Sequence, residues 1–350
     1  MINEIHISGY RGLRDLTVEP LGRVNLLVGM NNSGKTSILE AIDLVSQVGE
    51  PLVLKSICER RGEILTVPNS SSKILDPRHL FFGHTFPLDR PIHIQTDLNG
   101  IAGEVVIGFQ PSATHGSAGA IGMEWHPPNL IVMVDLADTV DSLLVASYVG
   151  NSPWMTRSQN QKSLFIPSSG FSQMQTMHQL SDVMMTDQES LVLRALHTID
   201  PTIQRIVPTP DSISAVGRFG GVLVNCKGKP PRLPIGMLGE GIWRMLGLAL
   251  GLSYCQGGVL LIDDIDTGLH YTVMERMWKL IFEASKQLNV QVFATTHSRD
   301  CIDALASISR EGVFEDSEVM IHRIEAGKSK SISYSEATIK AVAEFGNEVR

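Results

Sequence analysis

The sequence predicts an α/β fold: a largely parallel sheet flanked by helices, interrupted by a β-rich insertion. Three observations carry this. Val24-Asn25-Leu26-Leu27-Val28 is a short apolar strand that runs into the glycine loop Gly29 to Ser37; Ile38, Leu39, Ile42 and Val45 then recur at helical spacing. Gly258 to Ile262 is a second apolar strand, ended by Asp263 and Asp264 and followed by a helix with Met274, Met277, Trp278 and Ile281 on one face. Val290 to Thr296 is a third, ended by His297. Strand, helix, strand in succession is a parallel arrangement, and it predicts Asp264 and His297 at adjacent strand ends.

Composition sets the bounds. The chain has 350 residues, 43% of them hydrophobic and 19% charged, enough for a large core in two domains or one elaborated one. A net charge of −8 argues against general nucleic-acid binding, so any DNA contact needs a local basic patch. Cys58, Cys226, Cys255 and Cys301 are scattered without a C-x-x-C pair, which predicts buried thiols in a reducing compartment, with neither zinc nor disulfides. The opening MINEIHISGYRG has no apolar signal core, and the most apolar run, Met245 to Cys255, is too short to cross a bilayer. A soluble cytoplasmic protein is expected.

In order along the chain, Ile2 to Val18 alternates around Ile5, Ile7, Leu13, Leu16 and Val18, predicting two strands with a turn at Gly9 to Gly12. Arg11 and Arg14 sit on that turn, where they either touch a nucleotide or are solvated. Pro51 to Ile64 reads as an irregular helix and Pro68 to Asp76 as a polar loop. Ile92 to Thr96 and Glu104 to Phe109 read as strands about a hairpin turn at Asn99-Gly100. Thr114 to Gly122 is small and flexible in composition; Leu130 to Leu136 and Ser142 to Tyr148 are further strands. The histidines of this stretch (His79, His84, His93, His115, His126) lack metal-ligand spacing. Ser181 to Thr198 predicts a helix, Pro201 to Pro210 a linker and Ile213 to Val224 strands. Lys227, Lys229 and Arg232 form a small basic cluster on a loop. Beyond His297, Asp300 to Ile308 predicts a helix, Val319 to Ile324 and Ser331 to Tyr334 a hairpin, and Glu336 to Glu344 a closing helix.

Gly29 to Thr36 reads G-x-x-x-x-G-K-T, a Walker A loop in its proper strand–loop–helix setting. Gly29 and Gly34 let backbone N–H groups of Asn31, Asn32 and Ser33 approach phosphate oxygens, and the helix N-terminus adds its own donors near Ser37. Lys35 reaches the β- and γ-phosphates and the Thr36 hydroxyl ligates Mg²⁺. Asp263, on the second strand, has the form of a Walker B acid that holds Mg²⁺.

The set GMNNSGKTS, LLIDDIDTGLH and VFATTHS resembles the ABC-type ATPases, and within them the branch containing RecF, the SMC proteins and the OLD nucleases. The opening IHISGYRGLRDLTVE is similar to that branch, and Leu238-Gly239-Glu240-Gly241-Ile242-Trp243-Arg244 is similar to its signature motif. The resemblance covers about residues 1–50 and 160–325. It implies an ABC-type ATPase head over those residues, a β-rich insertion over 51–159 and a closing hairpin and helix over 326–350. It further implies a homodimer that sandwiches two ATP molecules. Gly239, Glu240 and Gly241 would complete the partner's site, Asp266 and Gly268 would communicate across the interface, and His297 would bond the γ-phosphate. Asp264 takes the position of the carboxylate that orients attacking water.

Two departures stand out. The family's catalytic carboxylate is usually Glu, and Asp264 is one methylene shorter; Met237 and Leu238 stand where the signature has a hydroxyl. Both point to tight nucleotide binding and slow turnover. Gln95 and Gln110 are poor matches to the family's Q-loop glutamine. The OLD nucleases carry a nuclease domain past this point, so a nuclease served by this chain is expected on another polypeptide. The expected function is a slow ATPase regulating a separate effector in DNA repair or anti-phage defence, with DNA contact left open and no membrane. A nucleotide-locked scaffold and a transporter motor are the alternatives.

Overall fold

The computed structural model describes residues 1–47, 50–66, 73–84, 90–98, 100–110, 129–136, 139–145, 162–214, 217–229, 232–313, 318–336 and 338–339. In chain order the strands are β1 (Ile2–Tyr10), β2 (Leu13–Val18), β3 (Val24–Val28), β4 (Ile64–Thr66), β5 (Lys73–Leu75), β6 (Ile92–Leu98), β7 (Ile101–Gln110), β8 (Asn129–Leu136), β9 (Thr139–Val145), β10 (Ser163–Ile166), β11 (Ile203–Ser214), β12 (Gly217–Cys226), β13 (Leu233–Pro234), β14 (Val259–Ile262), β15 (Gln291–Thr295), β16 (Val319–Arg323) and β17 (Ile332–Tyr334). The helices are α1 (Lys35–Ser46), α2 (Pro51–Arg61), α3 (Gln173–Val183), α4 (Glu189–His197), α5 (Glu240–Tyr254), α6 (Tyr271–Gln287) and α7 (Arg299–Arg310). The chain divides into two compact units.

The first unit comprises Met1–Pro20, Asn31–Asn160 and Ile324–Ser331. Its sheet runs β2-β1-β6-β7-β8-β9, antiparallel throughout. The period-two pattern of β1 puts Ile5 and Ile7 on the buried side, beside Leu16, Val18 and Ile94. Helix α1 packs against β1, β6 and β7 and buries nearly every residue. The turn predicted at Asn99-Gly100 joins β6 to β7, with Gly100 at φ 87° and its N–H on Asp97 Oδ1; Asn99 lies outside the described residues, as do Thr114 to Gly122, His115, His126 and Ala146 to Tyr148. Helix α2 starts on Pro51 and ends on Gly62 at φ 70°, both in their favoured capping places.

The second unit comprises Leu21–Met30, Gln161–Arg323 and Ile332–Arg350. Its main sheet runs β10-β14-β15-β3-β16-β17, parallel except for the edge pair β16–β17. Strands β3, β14 and β15 are buried at every position, which is why they read as predominantly apolar runs without alternation. The core gathers α5, α6 and α7, and Trp278 Nε1 donates to the Cys301 carbonyl at 3.0 Å to tie α6 to α7. A second sheet, β11-β12-β13, packs with α3 and α4.

Two expectations change. The single helix expected over Ser181 to Thr198 is two. Helix α3 starts earlier, at a capping box between Ser172 and Gln175, and the chain breaks where Thr186 Oγ1 bonds the Val183 carbonyl and the Gln188 amide. The linker expected at Pro201 to Pro210 belongs to β11, which pairs with β12 as a long hairpin. The helix expected at Glu336 to Glu344 falls largely outside the described residues. The four cysteines are buried free thiols, and burial pushes the Cys58 and Cys301 thiols far up. No helix among the described residues is long and apolar enough to cross a membrane.

Candidate nucleotide site

In the second unit, β14, β15 and β3 lie side by side in one direction, Ile262 level with Ala294 and Ala294 level with Leu26. Their C-terminal ends meet at one sheet edge, where open parallel sheets bind ligands. Gly29 and Met30 leave β3 there, Asp263 and Asp264 leave β14, and Thr296 and His297 leave β15. The hydroxyl of Thr295 serves both acids: it donates to Asp263 Oδ1 at 2.7 Å and accepts from the Asp264 amide at 2.8 Å. Asp264 turns into the left-handed region at φ 45°, and its Oδ1 lies 3.7 Å from His297 Nε2, both side chains remaining over one-third exposed. The Thr296 hydroxyl donates to Asp266 Oδ1 and accepts from the Ser298 amide, so Asp266 is held by the strand bearing His297.

The signature-like turn lies in the same unit. Gly239, at φ 97°, precedes α5, and the turn packs on the loop after β14 at backbone distance. A Cβ on Gly241 would stand 3.1 Å from the Gly268 carbonyl oxygen, and one on Gly268 would stand 2.9 Å from Glu240 Cγ. An added Cβ at Gly241 would require the facing backbone to give by a few tenths of an ångström, and one at Gly268 would require the Glu240 side chain to move.

In the first unit, the phosphate loop continues through Asn31 and Asn32, both exposed, and Ser33, which is buried. Gly34 at φ 99° opens α1, and a Cβ there would meet Leu13 Cδ2 at 2.6 Å, so this position demands glycine. Lys35 is the first helical residue and is buried; Thr36 and Ser37 complete the first turn. Helix α1 opens on Gly34 without a side-chain cap hydrogen bond, and a helix N-terminus favours an anion. Arg11 is not solvated. It is buried at φ 51°, its Nε 2.8 Å from Glu40 Oε2, with Glu63 and the Tyr10 hydroxyl as further partners. Burial works against its charge, but Tyr10, Glu63 and Glu40 outweigh that and hold the guanidinium above its ordinary pKa. A polar cavity of about 540 Å³ opens there, lined by Arg11, Asn32, Ser37, Glu63, Asp76 and His79 among others.

A model of the AAA ATPase domain matches residues 1–76 and 178–302. The chain belongs to that family. It is 23% identical over 353 residues to the ATP/GTP phosphatase of Helicobacter pylori (strain ATCC 700392 / 26695), covering 90% of each chain. It is 46% identical over 44 residues to the DNA replication and repair protein RecF of Pseudomonas savastanoi pv. phaseolicola (strain 1448A / Race 6), a match spanning 13% of this chain and 12% of that one. Among solved structures it is similar to an SMC head bound to the C-winged helix domain of ScpA, at 16% identity and a TM-score of 0.48, covering 95% of this chain and 98% of that one.

For this AAA ATPase the sheet edge brings together Gly29, Asp263, Asp264, Asp266 and His297, and Gly239 to Gly241 share their unit. Asn31 to Ser37 belong to the first unit. Gln95 bonds His6 and Glu104 on an exposed sheet face, a structural pairing. Sequence reasoning missed Thr295, Thr296 and Arg244, although all three lie inside motifs that it quoted. The histidine of VFATTHS drew attention, while the two threonines before it hold the acids in place.

Proposed function

We propose that the chain is a Mg²⁺-dependent ATPase that dimerises around nucleotide and drives a separate effector. The observation that carries this reading is the meeting of Asp263, Asp264 and His297 at the sheet edge from which the phosphate loop departs. The likeness to an ATP/GTP phosphatase along 90% of both chains supports nucleoside triphosphate hydrolysis. Lys35 and the N–H groups of Gly29 and Asn31 to Ser37 bind the β- and γ-phosphates. The donors assigned to Mg²⁺, the Thr36 hydroxyl and the Asp263 carboxylate, are all oxygen, which is what that ion takes. When bound, the ion neutralises charge on the phosphates. Asp264 orients the attacking water, and His297, beside it, bonds the γ-phosphate. Gly239, Glu240, Gly241 and Asp266 complete the site of a second copy, the α5 N-terminus being an anion site. A place in DNA repair is supported by the short RecF-like segment; a role in anti-phage defence rests on the family resemblance.

The half-buried Asp264, a shorter acid than the family's Glu, favours a second reading, a scaffold held together by ATP with little hydrolysis. Steady-state ATP turnover by the purified chain, beside Lys35→Ala, tests the first. Turnover that vanishes in the variant is expected. Tight Lys35-dependent ATP binding without turnover would establish the scaffold instead, and no ATP binding would overturn both.

A further inference from the structure

Arg244 sits one turn into α5 and is 5% exposed. Its guanidinium is engaged by main-chain carbonyls. Nη2 donates to the Asp263 oxygen at 2.7 Å and the Asp264 oxygen at 2.6 Å, Nη1 to Pro167 at 3.0 Å, and Nε to Ile265 at 3.4 Å. Three of those carbonyls belong to consecutive residues of the turn that ends β14, and the fourth to the loop that leaves β10. A buried arginine satisfying four backbone acceptors is a rigid pin, because its five N–H donors sit in a fixed fork. The pinned turn is the one whose middle residue, Asp264, is left-handed at φ 45°. A left-handed aspartate persists only where its surroundings hold it.

We propose that Arg244 is a positioning residue for hydrolysis: by fixing the carbonyls of Asp263, Asp264 and Ile265 it presents the Asp264 carboxylate beside His297. This rests on the reading of Asp264 as the group that orients water. The same pin fastens the start of α5 to the acids. Together with the close approach of Gly241 and Gly268, it makes Gly239–Gly241 and the acidic turn move as one piece.

Lysine cannot reproduce the pin, since an ammonium presents three donors from one point. Arg244→Lys and Arg244→Ala are therefore compared with the unmutated chain for kcat, for equilibrium binding of a fluorescent ATP analogue and for thermal unfolding. Arg244→Lys should keep its nucleotide affinity and lose about a hundredfold in kcat, the loss that a displacement of about 1 Å produces. Guanidinium ion, at concentrations far below those that unfold the protein, should restore part of the Arg244→Ala turnover, and tetramethylammonium should not. Turnover, affinity and unfolding temperature falling together without rescue would reduce Arg244 to a packing residue and overturn the proposal. So would an Arg244→Lys enzyme of normal kcat. If Arg244→Ala does not fold, the split between kcat and affinity in Arg244→Lys decides. Absence of turnover in the unmutated chain is a separate outcome that overturns the ATPase reading, and this inference with it.

Discussion

One hydroxyl, Thr295 Oγ1, donates to Asp263 and accepts from the Asp264 amide. Thr295→Val keeps the shape and removes both bonds, and each orphaned group costs about 1–3 kcal/mol. Urea unfolding should show a combined loss of about 2–6 kcal/mol, and ATP turnover should fall beyond what the remaining folded fraction explains. Asp264→Glu should raise turnover strongly if a short side chain is what slows hydrolysis; unchanged turnover would favour the scaffold. At this scale the sequence draws attention where a residue type is unusual for its place, as with the paired acids after β14, His297 after β15 and Gly34 before α1. Thr295 escaped because threonine is ordinary in a strand. Arg244 escaped because arginine in a helix is ordinarily solvated, and only the fold reveals the carbonyls that it faces.

At the scale of elements, Gly258 leads into β14 hard against its neighbour: a Cβ there would lie 1.9 Å from the Lys162 carbonyl oxygen. That oxygen is backbone and accepts from the Val259 amide, so it cannot retreat without loosening the β10–β14 pair. Gly258→Ala should cost about 3 kcal/mol or more, read as a lowered urea midpoint. On β16, burial pulls the His322 pKa down to about 4. The unfolded chain, with an ordinary histidine near 6.5, then binds the proton more readily. Its contribution to stability is complete above about pH 6.5 and is lost as pH falls toward 4, roughly 3 kcal/mol in all. His322→Gln should flatten that part of the stability profile. Elements with one clear pattern were legible, β1 by its alternation and β3, β14 and β15 by their apolar runs. The break between α3 and α4 was not, because it is made by one hydroxyl at Thr186 that competes for backbone bonds within an apolar pattern continuing across it.

For the whole molecule, the proposed sandwich predicts a change of mass. Light scattering of Asp264→Asn with ATP and Mg²⁺ should give twice the protomer mass, and Lys35→Ala should stay at the protomer value under the same conditions. The division into two units follows pairing rather than sequence distance: residues 1–20 join the first unit through β1 and β6, while Leu21–Met30 joins the second. That last assignment bears on how the protein is made. Strand β3 (Val24–Val28) is synthesised well before its sheet neighbours β15 (Gln291–Thr295) and β16 (Val319–Arg323). At ribosomal speeds of about 5–20 residues per second, the wait for β15, the first of the two, is roughly 10 to 50 seconds. Throughout that time an apolar strand, buried at all five positions in the finished protein, has none of its native partners. Nascent chains stalled before Val259 should therefore engage chaperones through Val24–Val28. A separately synthesised fragment that carries β14 and β15 should find that strand still vacant and restore the sheet by complementation.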